Sequence, residues 1–337
     1  MQTKRRHPVF ELIRRIRSSD FLVAYVFLLP AFAILFMFTL YPGIQLVRLS
    51  FRNTLLIRPT DMFIGLENFQ RMFEDPRFWN SLGNTFIFVL LSVPLQMSIA
   101  LLIALGLKVK VKGLAFLRAG YFSPVVVSMV AVSMVWQFLY NPNLGLFNHF
   151  ISFFGMEPVN WLRTSSSFLT PIWTSVFRPI IESLGWSTTN WEWINISTAM
   201  LAIVFLAVWK GTGYYMVIYL AGLMDIPEEL YEAANVDGAT TWQKFTKITW
   251  PLLSPTTYLI LVLQMINSFQ VFSSVYIMTG GGPSRKTEVI VFYIYNRAFE
   301  SLEMGYASAI ALFLFLFLLV LTIFQRKVVG SRVHYDR

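Results

Sequence analysis

Two groups of residues have types and spacings suited to a task. The first is the segment 225–255, DIPEELYEAANVDGATTWQKFTKITWPLLSP, where Asp225, Glu228, Glu229, Glu232 and Asp237 stand against only Lys244 and Lys247. These acids have no histidine or cysteine among them, and Ala233 and Ala234 sit in their midst, so the chemistry on offer is recognition rather than bond making. Asp225 is placed to N-cap a helix with Pro227 in its first turn and Glu228 and Glu229 near the positive dipole end. Leu230, Ala233 and Ala234 would share one face of it. Gly238 provides a break, and Thr240 or Thr241 can cap a second short helix through Ile248, ending ahead of Pro251. Two short helices at an angle are predicted, with small residues on the first. The second group is polar and aromatic residues inside apolar runs. These are Trp209, Lys210, Gly211, Tyr214 and Tyr215 in VWKGTGYYMV, and Gln264, Asn267, Ser268 and Gln270 in QMINSFQVFSS, with Val271 beside them. Amides and hydroxyls bind the hydroxyls of a polar solute, and aromatic rings offer apolar faces. Asn267, Ser268 and Gln270 serve equally well as hydrogen-bonding glue between helices. Lys210 should pair with an acid, face water or snorkel, and if it lines a path it favours an anionic solute.

No catalytic set and no metal site emerge. His7, His149 and His334 lie in loops or tails, and the chain has no cysteine, which excludes disulfides, thiolate zinc sites and a cysteine nucleophile. No G-x-x-x-x-G-K-[ST] phosphate loop occurs, so this chain is not expected to cradle ATP or to be an enzyme by itself. Its net charge of +9 falls in short clusters beside apolar runs, the placement of membrane topology rather than of nucleic-acid binding.

These residues must be positioned by a set of helices in lipid. With 56% hydrophobic and 13% charged residues over 337, the chain is too apolar for an ordinary soluble domain. Six stretches are long enough to cross a hydrocarbon core, near 21–43, 84–107, 118–140, 196–222, 252–278 and 304–325. The first is longer than the apolar region of a signal peptide and is read as retained. Basic clusters flank the runs: Lys4, Arg5, Arg6, Arg14, Arg15 and Arg17 before the first, Lys108, Lys110, Lys112 and Arg118 between the second and third, Arg326, Lys327, Arg332 and Arg337 after the sixth. Both termini are thereby expected in the cytoplasm. The expected layout is a basic segment 1–20, a first span 21–43, an external loop 44–83, a five-helix core 84–325 and a basic tail 326–337. Within the core lie an external insertion 164–193, able to contact an external partner or to be a plain surface extension, and the cytoplasmic loop 225–251.

That loop resembles the EAA loop of the permease subunits of binding-protein-dependent ABC importers. Glu232, Ala233, Ala234, Gly238, Ile248 and Pro251 match its pattern in register, with Trp250 in place of the family's leucine. FIGLENF at 63–69, NPNLGLFN at 141–148, AGLMDIP at 221–227, TGGGP at 279–283 and MGYASAI at 304–310 resemble the carbohydrate branch, relatives of the maltose and glycerol-3-phosphate permeases. The resemblance implies an all-α integral membrane protein with six transmembrane helices and the type I ABC importer permease fold. It implies a sugar or oligosaccharide as cargo, with a polyol phosphate as the alternative, in the cytoplasmic membrane of a bacterium or archaeon. It also implies partners: a second homologous permease, two cytoplasmic ABC ATPases that bind ATP and magnesium, an extracytoplasmic solute-binding protein and lipid. Glu232, Ala233, Ala234, Asp237, Gly238, Ile248 and Pro251 would then dock on the ATPase, and Gly211, Tyr214, Asn267, Ser268 and Val271 would line a central cavity. A passive channel or ion-coupled carrier is the reading from another class, disfavoured by the docking loop and by the lack of a buried acidic relay.

Overall fold

In the computed structural model, residues 20–55, 61–108, 113–155, 157–165, 196–328 and 330 are described. The basic N-terminal segment, most of the insertion 164–193 and the end of the tail lie outside them. Five helical stretches among the described residues are long and apolar enough to cross a membrane: Ala24–Ser50, Pro76–Leu107, Thr198–Met224, Ser254–Met278 and Met304–Val328. The third expected crossing is different. It is a pair, α1 (Leu114–Val126) and α2 (Met129–Leu139), bent by 96° at a two-residue break.

Local chemistry sets several boundaries. The helix α3 (Pro76–Leu107) starts eight residues before the expected 84, because Asp75 in extended conformation accepts the Arg77 N–H at 2.8 Å and Pro76 occupies the first turn. At 32 residues it is about 48 Å long, so it emerges well beyond the hydrocarbon core. The helix α4 (Thr198–Met224) is capped by Ser197, whose side chain accepts the Met200 N–H at 3.1 Å. The first span is also longer than expected. It runs through a wide π-helical turn at Phe36–Leu40 to Ser50, where the chain enters a two-residue hairpin pairing Arg52 with Phe63 and Asn53 with Met62. The fifth crossing comprises α5 (Ser254–Phe269) and α6 (Ser273–Met278), interrupted at Gln270–Phe272.

The core forms where α3 crosses α4 and α5 and where its first half shares an apolar cluster with the C-terminal helix α7 (Met304–Val328). Small residues permit the approach: Ala100 and Ala104 are fully buried on α3, and Gly213 on α4 lies against the Tyr121 backbone carbonyl of α1. By contrast, no residue of the apolar window within Ala24–Ser50 is buried; the Tyr41–Ser50 end packs on α7, while the earlier part offers its apolar surface to lipid or to another chain.

At the bundle end opposite the 225–253 segment, charged side chains tie the connections together. Arg77 holds Glu288 through Nε at 3.0 Å to both carboxylate oxygens and Nη2 at 2.5 Å, and the Glu288 side chain is only 2% exposed. Asp75 Oδ2 accepts the hydroxyls of Tyr293 and Tyr306, while Glu303 bridges Arg71 and Arg297. The TGGGP turn takes positive φ at Gly280 and Gly281, and Asn80 and Asn84 pin the stretch just beyond it by donating to the Arg285 carbonyl.

Candidate functional site

The acidic segment folds as the helix α8 (Glu228–Val236), a turn at Gly238, and a second helical stretch from Thr241. Gly238 sits at φ +73°, a backbone conformation that costs an L side chain roughly 1–2 kcal/mol. Thr240 caps the second stretch in full: its hydroxyl accepts the Gln243 N–H at 3.3 Å and the Gln243 side chain accepts the Thr240 N–H at 2.7 Å. Two expectations fail. Asp225 does not cap α8; it closes α4, its N–H bonded to the Ala221 carbonyl, and Pro227 takes the position before Glu228 with no side-chain cap. The second stretch does not stop ahead of Pro251 either. It continues as a π-helical turn over Phe245–Thr249 into Trp250–Leu252, the wide turn relieving the clash between the proline ring and the preceding carbonyls.

The segment is anchored on one side and open on the other. Ile226 and Leu253 are buried in the apolar cluster around Tyr219 and Leu223. The Tyr231 hydroxyl bonds Thr249 Oγ1 at 2.9 Å, the Lys108 ammonium lies 4.1 Å from the Tyr231 ring centroid, and Lys244 donates to Asn235. Glu232, Ala233 and Asp237 are exposed, Ala234, Ile248 and Pro251 half-buried. Leu230, Val236 and Trp242 expose 42%, 89% and 71% of their surface among the acids, with Trp242 stacked on Phe245.

The in-membrane residues divide. Trp209 faces a cavity of about 590 Å3 between α3, α1 and α4, whose walls include Ile99, Ile103, Leu117, Tyr121 and Phe205. Tyr214 is five residues on, about 140° around the helix, and points elsewhere; it packs edge to face on Tyr215, which accepts a hydrogen bond from Asn267 at 3.4 Å. Tyr214, Asn267 and Gln270 are exposed, Val271 is half-buried and Ser268 is buried. Gly211 is half-buried and packs closely on α3: a Cβ there would strike the Gln96 amide. Gln96, absent from the residues the sequence singles out, is the hub of the polar interior. It donates to the Ala207 carbonyl at 3.1 Å and accepts from Gln264 Nε2 at 2.5 Å, joining α3, α4 and α5. A glutamine in the middle of LSVPLQMSIALL is the one amide in that run, and this could have marked it. Lys210 makes no ion pair among the described residues; its ammonium meets backbone carbonyls of the third crossing at Pro124, Val125 and Val127.

The short motifs shared with the carbohydrate branch act as clamps. Asn68 of FIGLENF donates to the Ser50 and Arg52 carbonyls at 2.9 and 3.0 Å. Asn148 of NPNLGLFN donates to the Pro142 and Val159 carbonyls and accepts the Trp161 indole N–H at 2.8 Å. Tyr306 of MGYASAI donates to Asp75.

A bundle of apolar helices with a sharply bent third pair and an open acidic hairpin before the helix that follows α4 has the architecture expected of a membrane permease. A family described as the inner membrane component of binding-protein-dependent transport systems matches residues 73–333, and the chain belongs to it. It is 34% identical to a probable ABC transporter permease, YurN, of Bacillus subtilis over 92% of this chain and 97% of that one. It is 32% identical to the trehalose/maltose transport system permease MalF of Thermococcus litoralis over 94% and 97%. Among solved structures, a bacterial ABC transporter involved in import of the acidic polysaccharide alginate matches with a TM-score of 0.74 and 25% identity over 96% of this chain and 99% of the other. The protein is therefore a multi-pass inner-membrane permease that works with a binding protein.

Proposed function

We propose that this permease imports a sugar or oligosaccharide by alternating access, paired with a second homologous permease and driven by two cytoplasmic ATPases that bind ATP and magnesium. The observation that carries the coupling half of this reading is the 225–251 hairpin. It is anchored where it meets the bundle, through Tyr231, Ile226 and Leu253, and exposed at Glu232, Ala233, Val236 and Trp242. Small and apolar residues ringed by carboxylates fit a groove with basic edges, where close helix approach and charge pairing act together. The basic flanks of the first and last spans support a cytoplasmic position for this hairpin and both termini. The exposed first span supports a second permease, whose surface can cover it. The trehalose/maltose relative supports a carbohydrate cargo, and Tyr214, Tyr215, Asn267 and Gln270 supply the ring faces and amides such a cargo needs.

The test is reconstitution of the importer in nanodiscs with its binding protein loaded with that protein's own ligand. ATP hydrolysis is expected to rise several-fold on addition of the loaded binding protein, and Glu232→Lys is expected to lose both this rise and copurification of the ATPase. Solute uptake by this chain alone, or undiminished ATPase association in Glu232→Lys, overturns the proposal.

A further inference from the structure

The third crossing is cut where the backbone needs help most. Pro124 has no N–H, so the Gly120 carbonyl loses its helical donor; Ser123 Oγ replaces it at 2.9 Å. Two residues later the helix ends, and Val127 and Ser128 are extended with ψ of 139° and 137°. The carbonyls at that end have no helical partners and carry the negative end of the dipole. Lys210, near the middle of α4, donates to three of these oxygens: Pro124 at 3.0 Å, Val125 at 3.2 Å and Val127 at 2.9 Å. An ammonium has three N–H bonds, so its donor capacity is fully used. Beside it, Gly213 lets the α1 backbone approach α4 at Tyr121, so the contact is close on the α1 side of the elbow as well.

We infer that Lys210 is a positioning residue whose ammonium caps the cut end of α1 and clamps the 126–128 elbow to α4, and that it is not the receptor for an anionic solute. The clamp has a direction. Helix α4 passes into α8 through Asp225, Ile226 and Pro227, with Ile226 buried in the core. Beyond the elbow, α2 packs on α6, the continuation of the crossing that carries Asn267 and Gln270. A displacement of the acidic hairpin thus travels along α4, through one ammonium, into the far half of the third crossing and on to the broken fifth. This transport consequence rests on the coupling proposed above; the clamp itself does not.

The chain has no cysteine, so paired nitroxides can be placed on it without background from this subunit. Phe116→Cys and Met134→Cys are exposed sites on the two sides of the elbow. In the whole importer in nanodiscs, pulsed electron–electron resonance between them is expected to give one narrow distance distribution for Lys210. It should broaden about twofold in Lys210→Met and remain narrow in Lys210→Arg, which keeps a multivalent donor. Stimulation of ATP hydrolysis by the loaded binding protein should fall several-fold in Lys210→Met while basal hydrolysis persists. If Lys210→Met does not accumulate, a narrow distribution in Lys210→Arg with intermediate width in Lys210→Gln supports the clamp. An unchanged width in Lys210→Met, or equal broadening in Lys210→Arg, overturns it. The distance measurement does not depend on ATP, so a failure of the proposed coupling leaves it readable.

Discussion

Removing the Arg77 side chain should expose how much of the bundle end depends on one buried carboxylate. The Glu288 side chain is 2% exposed and Arg77 25%, and the guanidinium makes three contacts of 2.5–3.0 Å to its two oxygens. In Arg77→Met the carboxylate stays buried with its main partner gone, an arrangement that typically costs about 3–5 kcal/mol. At roughly 2 °C per kcal/mol for a chain of this size, the thermal midpoint should drop by about 6–10 °C. Replacing both partners, Arg77→Met with Glu288→Met, removes the stranded charge as well, so the double variant should lie within about 1 kcal/mol of the parent. The assay is thermal unfolding of the detergent-solubilised importer followed by tryptophan fluorescence, with the double-variant cycle in the same buffer. Because Asn84 also holds the Glu288 carbonyl at 3.0 Å and Thr85 Oγ1 the Ile290 N–H at 2.8 Å, the backbone should keep its course and the loss should be local. A drop under about 2 °C in Arg77→Met, or a double variant worse than the single, would refute the reasoning that the pair is desolvated and mutually dependent.

Three other outcomes are expected. Gly213→Val drives a side chain into the Tyr121 carbonyl and should cost about 2–3 kcal/mol by overpacking, read as a lowered thermal midpoint, whereas Gly83→Ala in open space on α3 should change it little. Gly238→Val places a β-branched residue at φ +73° and should weaken copurification of the ATPase, with Gly238→Asn milder since asparagine tolerates that conformation; equal retention in both would show that the turn is not needed for docking. Burial works to raise the pKa of Asp75, but hydrogen bonds from Tyr293, Tyr306 and the Arg77 N–H, with the charge of Arg297, outweigh it and hold the carboxyl below its ordinary value of 3.8. Its stabilisation is therefore full above that value and lost as pH falls through the lower folded one. The stability difference between the parent and Asp75→Asn should stay flat above about pH 5 and shrink below about pH 4, and a difference already changing near neutrality would count against the assignment.

The acidic hairpin is legible in the sequence because its signals are local. A glycine that lets the chain turn, a threonine able to cap and small residues at helical spacing act within a few residues of one another; Gly238 and Thr240 take the roles expected of them, and Gln243 completes the cap. Asp225 departs from its expected role for the opposite reason. A cap is a choice between ending one helix and starting another, and the long α4, packed along α3, extends to claim it. Pro251, expected to stop a helix, is instead accommodated by a widened turn, a response that propensity does not encode. In the membrane, residue type alone does not say which face of α4 each side chain takes relative to its neighbours. Gly211 and Trp209, two residues apart and both expected on the path, meet the Gln96 amide and an apolar cavity respectively.

By itself the sequence determined the features that depend on composition and short-range order. Apolar runs longer than a bilayer core demand helices, and the hairpin arises from its own caps. The tertiary structure decided the features that depend on partners far apart in the chain. It set Glu288 against Arg77 across 211 residues, made Gln96 the joint of three helices, and turned Lys210 from an unpaired charge into the clamp of a broken helix 83–86 residues away. Such pairings arise because a buried donor or charge accepts whichever complementary group the packed helices bring within about 3 Å, and no local pattern specifies which helix that is.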